Sequence, residues 1–224
     1  MNEISLLYTT ARPHLIEDVV DRWRTTANST DSFEFVVVTD VPVEFKSDHA
    51  RLLVNDGPRN CVTGWNLAAA KASNDILIQV SDDLYPPKDW DKRIVAAVSR
   101  LAGENPNVVI NALDERKCQL GVFHPILTRG AYLRAGYLYP PDFESMFCDN
   151  WFSLYHAMHS HMVVSRDVFW SHRHRTTHNV QIDDVTRRHE AKERYEKGRE
   201  TLIRLAAEQG LVSIRGLTLP VCEI

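Results

Sequence analysis

The sequence lacks any uninterrupted apolar run near the roughly 18 residues of a membrane-spanning helix. It also lacks any Cys-x-x-Cys pair and any glycine-rich turn behind its first apolar segment. The first absence excludes a helical membrane span within these 224 residues. The second excludes a zinc ribbon or redox dithiol, so Cys61, Cys118, Cys148 and Cys222 read as reduced thiols. The third removes the backbone cradle that many phosphate-binding folds place after the first strand. The N-terminal stretch "MNEISLLYTTARPH" has no basic segment, and its apolar run is too short for a secretory signal. The expected location is therefore the cytoplasm. Charge of one sign is not in excess either. A net charge of −4 offers no overall attraction to phosphate polymers, although Lys and Arg outnumber Asp and Glu between Arg166 and Arg204. No repeat, low-complexity tract or linker divides the chain, which is expected to fold as one domain over residues 1–224.

What is present is ordinary globular composition, 44% apolar and 25% charged, in alternating segments. "ISLLYTT" (4–10), "FEFVVVTD" (33–40), "ARLLVND" (50–56), "ILIQVSDD" (76–83) and "NVVINAL" (107–113) read as strands. Between them, 14–27, 61–73 and 87–103 read as helices, the last with Pro87 in its first turn and Gly103 at its end. The strands are continuous apolar runs, which marks a mainly parallel sheet covered by helices on both faces. Residues 114–148 are irregular and rich in aromatics. A helix over 149–161 is expected to be capped by Asp149, one or two strands follow in 161–175, and a long helix spans 183–210. Glu190/Arg194, Glu193/Lys197 and Glu200/Arg204 are spaced to pair along that helix.

In such sheets the functional crevice lies beyond the carboxyl ends of the strands. Thr9 and Thr10, Asp40, and Asp82 with Asp83 all fall at such ends, so they are expected to converge. The two adjacent carboxylates of "SDD" (81–83) have no Lys or Arg until Lys88. They repel one another unless a cation sits there, and a hard divalent ion, Mg2+ or Mn2+, suits them. The plainer alternative is a surface turn whose Asp caps the next helix. Asp149 has two readings as well, an ordinary N-cap or a carboxylate base beside the aromatics of 137–151. The helix dipole favours its ionised form there and desolvation opposes it. His172 and His174 stand at i and i+2, which puts both on one side of a strand and within reach of one ion, Zn2+ included. Arg173 and Arg175 leave open a solvated basic turn, or charge for phosphates. His156, His159 and His161 read as core or surface histidines. Trp65, Trp90, Tyr137, Tyr139, Phe143, Phe147 and Trp151 read mainly as core.

Taken in order, these segments resemble the nucleotide-sugar glycosyltransferases of the GT-A fold, in particular the inverting family-2-like members. The resemblance covers about residues 4–185. It rests on "LLYTTARP", "FEFVVVTD", Asn66 with "AAAKASNDILIQVSDDLYPPKDW", "ILTRGAYLRAGYLYPPDFESMFCDNWF" and "SHRHR". It implies a Rossmann-like sheet whose half 1–113 holds the nucleotide sugar, an acceptor and metal half 114–182, and a C-terminal helix and tail 183–224. Thr9, Thr10, Arg12 and Pro13 would cradle the nucleotide, Asp40 would contact the base, and Asn66 would belong to the donor side. Asp82 would contact the ribose or sugar. Asp83 would hold Mn2+ or Mg2+ on the donor diphosphate, with His172 or His174 completing the metal shell. Asp149 would deprotonate the acceptor hydroxyl. Ser81 stands where the strict motif has its leading acid.

The implied activity is sugar transfer from a nucleoside-diphosphate sugar, a UDP-sugar foremost, to a hydroxyl of a glycan, lipid-linked glycan, protein or modified DNA base. Without a membrane segment, a polymer-extruding synthase is disfavoured. The rival readings are nucleotidyl transfer, against which "TTARPHLIED" lacks a glycine-rich loop, and a non-catalytic nucleotide- or sugar-binding module, which Ser81 keeps open.

Overall fold

The computed structural model describes residues 4–45, 47–103, 105–114, 121–173, 178, 182–210 and 222–223. Four apolar runs form parallel neighbours β1 (Ile4–Thr10), β2 (Phe33–Thr39), β3 (Ala50–Val54) and β4 (Ile76–Val80), in the order β3-β2-β1-β4. Three helices connect this half: α1 (Ile16–Thr26), α2 (Cys61–Lys71) and, after the short β5 (Leu84–Tyr85), α3 (Trp90–Leu101). The sheet then continues through β7 (Ile126–Thr128), β6 (Val108–Asp114) and β8 (His161–His172), with β5 at its end and β9 (Cys222–Glu223) beside β8.

The strand β7 decides where the site is built. It runs antiparallel to both β4 and β6. Two reversals restore the direction, so β6 and its parallel partner β8 run the same way as β4. The carboxyl ends of β1, β2, β4, β6 and β8 therefore share one edge, and the amino end of β7 joins them. The pairing of β8 jumps from Ala112–Ser165 to Leu113–Phe169, a bulge that bends the strand before it reaches His172.

Alternation along the strands fills two cores. On one face Leu6, Tyr8, Phe35 and Ile78 pack against Trp23 of α1 and Trp90 of α3. The indole of Trp23 lies 4.9 Å from that of Trp90 and 5.3 Å from that of Trp170. On the other face Leu7, Val36, Leu77 and Val109 meet Val62 of α2. Ala131 of α4 (Arg129–Ala135), Trp151 of α5 (Cys148–His159) and Leu202 of α7 (Lys192–Glu208) complete that core. Each fully buried Leu, Ile, Val or Phe contributes about 1.5–3 kcal/mol.

Four expectations are corrected. The third helix starts at Trp90, behind an Asp89 held at φ 58°, so Pro87 lies outside it. Asp149 does not cap α5; Phe147 holds that position at φ 69° and Asp149 sits in the first turn. The helix expected over 183–210 is two, α6 (Asp184–His189) and α7, broken at Glu190 and Ala191. Asp183 caps α6 by accepting the Thr186 N–H. Lys197 and Arg204, spaced to pair with Glu193 and Glu200, reach across to Glu144 and Asp142 at 2.5 Å each. The irregular segment 121–148 also contains β7 and α4, both too short for periodicity to reveal. Of the seven aromatics expected in the core, Trp90, Tyr139, Phe143 and Trp151 are buried, whereas Trp65, Tyr137 and Phe147 are half-buried. Cys61 and Cys148 are free thiols, with burial raising Cys61 to about 11; Cys118 lies outside the described residues. Among the described residues no helix is long and apolar enough to cross a membrane.

Two predictions follow from the packing of α5. A Cβ on Gly198 would stand 2.4 Å from the Met146 carbonyl oxygen, so α7 docks by backbone contact on the turn that leads into Asp149. Gly198→Ala is expected to lower stability by about 1–3 kcal/mol, while Gly103→Ala, which meets nothing within 4 Å, stays within about 0.5 kcal/mol; urea midpoints compare them. His156 is fully buried against Phe152, with Nδ1 2.7 Å from Ser160 Oγ. Burial, then the nearby His159, lowers it from the ordinary histidine value to about 3. The unfolded chain takes up this proton first, so stability is expected to fall as pH drops from about 6.5. His156→Phe should flatten that part of a melting-temperature profile against pH.

Candidate active site

The shared strand edge opens into a cleft of about 1240 Å³. Thr9, Thr10, Arg12, Pro13, Asp40, Asp82, Asp83, Asp149 and His172 all line it. Asn66 does not: its carboxamide donates to the Tyr139 carbonyl at 2.7 Å and accepts the Leu138 and Tyr139 N–H groups at 3.0 Å, tying α2 to the segment before α5. His174 lies outside the described residues.

The "SDD" turn divides its two carboxylates. Asp83 faces His172, with Oδ2 3.1 Å from Nε2, and Ser81 Oγ donates to its other oxygen at 2.7 Å. Burial opposes ionisation of Asp83. The His172 hydrogen bond and charge, with Ser81, outweigh it and hold this carboxyl well below the usual range. The hydroxyl that replaces the leading acid thus orients the next carboxylate. Arg173 donates its backbone N–H to the Asp83 carbonyl and stacks its guanidinium on Tyr85 at 3.9 Å, opposite Arg22 at 3.7 Å.

Asp82 turns the other way. It accepts the buried Tyr8 hydroxyl and, at 2.7 Å, Arg12 Nη1. Burial, followed by the Asp82 charge, pushes the Tyr8 phenol above its ordinary value. Arg12 also forks onto Asp183 with Nε and Nη2 at 2.7 and 2.8 Å. Those bonds, ahead of the ones to Asp82, raise Arg12 above the usual guanidinium value and hold the Asp183 carboxyl below its own. One guanidinium thus joins the loop after β1, the "SDD" turn and α6 across the cleft. Asp40 accepts from Asn55 Nδ2 at 3.0 Å. Asp149 lies in the first turn of α5 and accepts the Asn150 N–H at 2.9 Å. Tyr139 and Phe147 line the cleft near it, and Tyr195 of α7 meets Phe147 edge-on at 4.8 Å.

Sequence reasoning missed Asp114, His124 and Gln79. His124 and Gln79 line the cleft beside His172 and Asp114 lies behind it, and one ligand atom from each of Asp114, His124 and His172 lies within 4.8 Å of the others. Asp114 ends β6, so the strand-end rule that marked Asp40 would have found it had the strand been read one residue longer. His124 precedes β7, whose antiparallel direction carried no periodic signal.

No family model matches the chain, and no curated protein matches it. Solved structures do. TarS 1-349 of S. aureus in complex with UDP-GlcNAc superposes with a TM-score of 0.63 at 15% identity, covering 95% of this chain and 67% of that one. Against another structure of TarS 1-349 the chain spans 60% of its length. The mannosyltransferase PcManGT from Pyrobaculum calidifontis, in complex with GDP-Man and Mn2+, gives 0.60 at 15% identity, with 95% and 76% covered. GalNAc-T7 with UDP, GalNAc and Mn2+ gives 0.58 at 10% identity, with 76% and 43% covered. The chain has the GT-A nucleotide-sugar glycosyltransferase fold.

The Asp82 anchor can be tested through Tyr8. Tyr8→Phe removes a buried hydrogen bond to a carboxylate and should lower stability by about 1–3 kcal/mol, read from the urea midpoint.

Proposed function

We propose that the chain is a metal-dependent inverting glycosyltransferase, moving a sugar from a nucleoside-diphosphate sugar, a UDP-sugar foremost, to an acceptor hydroxyl. One observation carries the reading. Asp83 and His172, from separate strand ends, meet at 3.1 Å in a cleft that also takes in Thr9 to Pro13, Asp40 and Asp149.

The donor set fits a divalent ion. A carboxylate oxygen and an imidazole nitrogen at the wall of an open cleft suit Mn2+, with Mg2+ a harder, more oxygen-demanding alternative. When bound, such an ion offsets the charge of the departing diphosphate. Ser81 and Asp114 keep Asp83 and His172 oriented for it. Thr9, Thr10, Arg12 and Pro13 form the nucleotide end of the cleft, with Asp40 toward the base. Asp82 faces the ribose or sugar, and Tyr8 fixes its direction. In the same cleft Asp149 accepts the acceptor proton as the hydroxyl attacks C1 from the face away from the leaving group. Phe147 and Tyr195 give the cleft an aromatic wall suited to a sugar ring. The solved structures with UDP-GlcNAc, GDP-Man and Mn2+ support this reading through the shared fold.

The test is release of nucleoside diphosphate from a panel of nucleotide sugars with Mn2+. Asp149→Asn is expected to slow turnover roughly 10²–10⁴-fold while donor-induced thermal stabilisation is retained. Normal turnover in that variant removes Asp149 from the base role. A wild-type protein that binds a donor but releases no nucleotide is a binding module instead.

A further inference from the structure

The inner side of His172 carries the argument further, resting on the reading of Asp83 and His172 as metal ligands. His172 is 5% exposed, and its two ring nitrogens face different carboxylates. Nε2 lies 3.1 Å from Asp83 Oδ2, and Nδ1 lies 3.1 Å from Asp114 Oδ2. Nδ1 is also 3.4 Å from His124 Nε2, and His124 Nδ1 is 3.0 Å from the Gln79 carboxamide oxygen. Asp114, His124 and Gln79 are all buried.

The polarity of this chain is set from its Gln79 end. A carboxamide oxygen only accepts, so His124 carries its proton on Nδ1 and presents a lone pair at Nε2. His172 Nδ1 then faces two acceptors, His124 Nε2 and Asp114 Oδ2, and is the nitrogen that keeps its proton when a cation takes Nε2. Without a cation Nε2 can share a proton with Asp83; a cation seated beside Asp83 replaces that proton and takes the Nε2 lone pair on the side of the open cleft. A ligating imidazole needs that form, and a carboxylate on its other nitrogen is the usual means of fixing it.

We propose that Asp114, backed by His124 and Gln79, is a positioning residue that holds His172 with Nε2 directed at the cation shared with Asp83. It touches neither substrate nor ion. The inner cluster of Asp114, His124 and His172 Nδ1 is the competing seat for an ion. An ion there would put the His172 proton on Nε2 and demote Asp83 to an outer partner. His124 and Gln79 line the same cleft, but the outer seat is favoured because Asp83 is open to it, its side chain 38% exposed against 5% for Asp114, so diphosphate oxygens can reach an ion there.

The experiment titrates full-length wild-type and variant proteins with Mn2+ alone, reading free ion by its electron paramagnetic resonance signal. Melting temperatures without metal serve as the folding control. Asp83→Asn is expected to abolish binding. Asp114→Asn is expected to weaken it about 10–100-fold with little change in the metal-free melting temperature. In 15N spectra with diamagnetic Mg2+, Asp114→Asn should lose the Nδ1–H form of His172 seen in the wild type. Gln79→Met, which leaves Asp114 in place, is the second variant and should weaken Mn2+ binding to a smaller degree. Wild-type affinity in both Asp114→Asn and Gln79→Met overturns the proposal alone. So does affinity that survives Asp83→Asn but not Asp114→Asn, which places the ion in the inner seat. A wild-type protein that binds no Mn2+ overturns the metal reading, and the proposal with it.

Discussion

Two carboxylates approach one imidazole at the carboxyl edge of the sheet, and the rest of the site is arranged around that meeting. Asp83 comes from the turn after β4 and Asp114 from the end of β6, and His172 separates them at 3.1 Å on either side. Without the ring, two negative groups would face each other across a partly buried edge, where charge is poorly screened. The backbone serves the same meeting. β7 reverses twice so that β4 and β6 end together, the bulge in β8 bends its last residues, and β5 pairs Leu84 with His172 to lock the turn against the strand.

Arg12 is the second organising charge. It answers Asp82 on one side and Asp183 on the other, so the loop after β1 and the start of α6 are held by one guanidinium. The Asp82 contact is partly buried and the Asp183 contact is exposed, so the former is the less screened of the two. Around Asp149 the constraint is steric. Phe147 sits in a left-handed conformation that non-glycine residues rarely adopt. Gly198 lets α7 press on that turn, and Asp149 follows directly from it. The C-terminal helix thus supports the acid assigned to the acceptor end.

Much of this was legible in the chain. Continuous apolar runs predicted β1, β2, β4 and β6 because a strand buried on both faces has no polar side to interrupt it, while β3, also expected, is a partly exposed edge strand. The strand-end rule then gathered Thr9, Thr10, Asp40, Asp82 and Asp83 into one cleft. His172 was found as one of a pair on a strand. Other features were not legible. Asn66 looked like a donor residue from its place in the motif order, yet its carboxamide is committed to backbone groups of Leu138 and Tyr139. The break at Glu190 leaves no mark on a helix-forming sequence, because propensity is a weak prior that tertiary contacts override. Lys197 reaches Glu144 and Arg204 reaches Asp142 on a neighbouring segment, Arg204 pairing on its own helix with Glu208 and not with the expected Glu200, since a long side chain reaches several directions and spacing describes only one of them.

The sequence by itself determined which strands are buried, their helical connections, and that acidic and hydroxyl side chains stand at their ends. Those properties follow from local periodicity and from one topological rule. Only the tertiary structure decided which carboxylate faces a histidine and which an arginine, that Ser81 orients Asp83, and that Asp114, His124 and Gln79 line up with His172. These contacts join residues 45 to 89 positions apart or, for Ser81 and Asp83, depend on the rotamers within a single turn. No local pattern encodes them; they exist because one antiparallel strand and one bulge bring distant chain ends to the same edge.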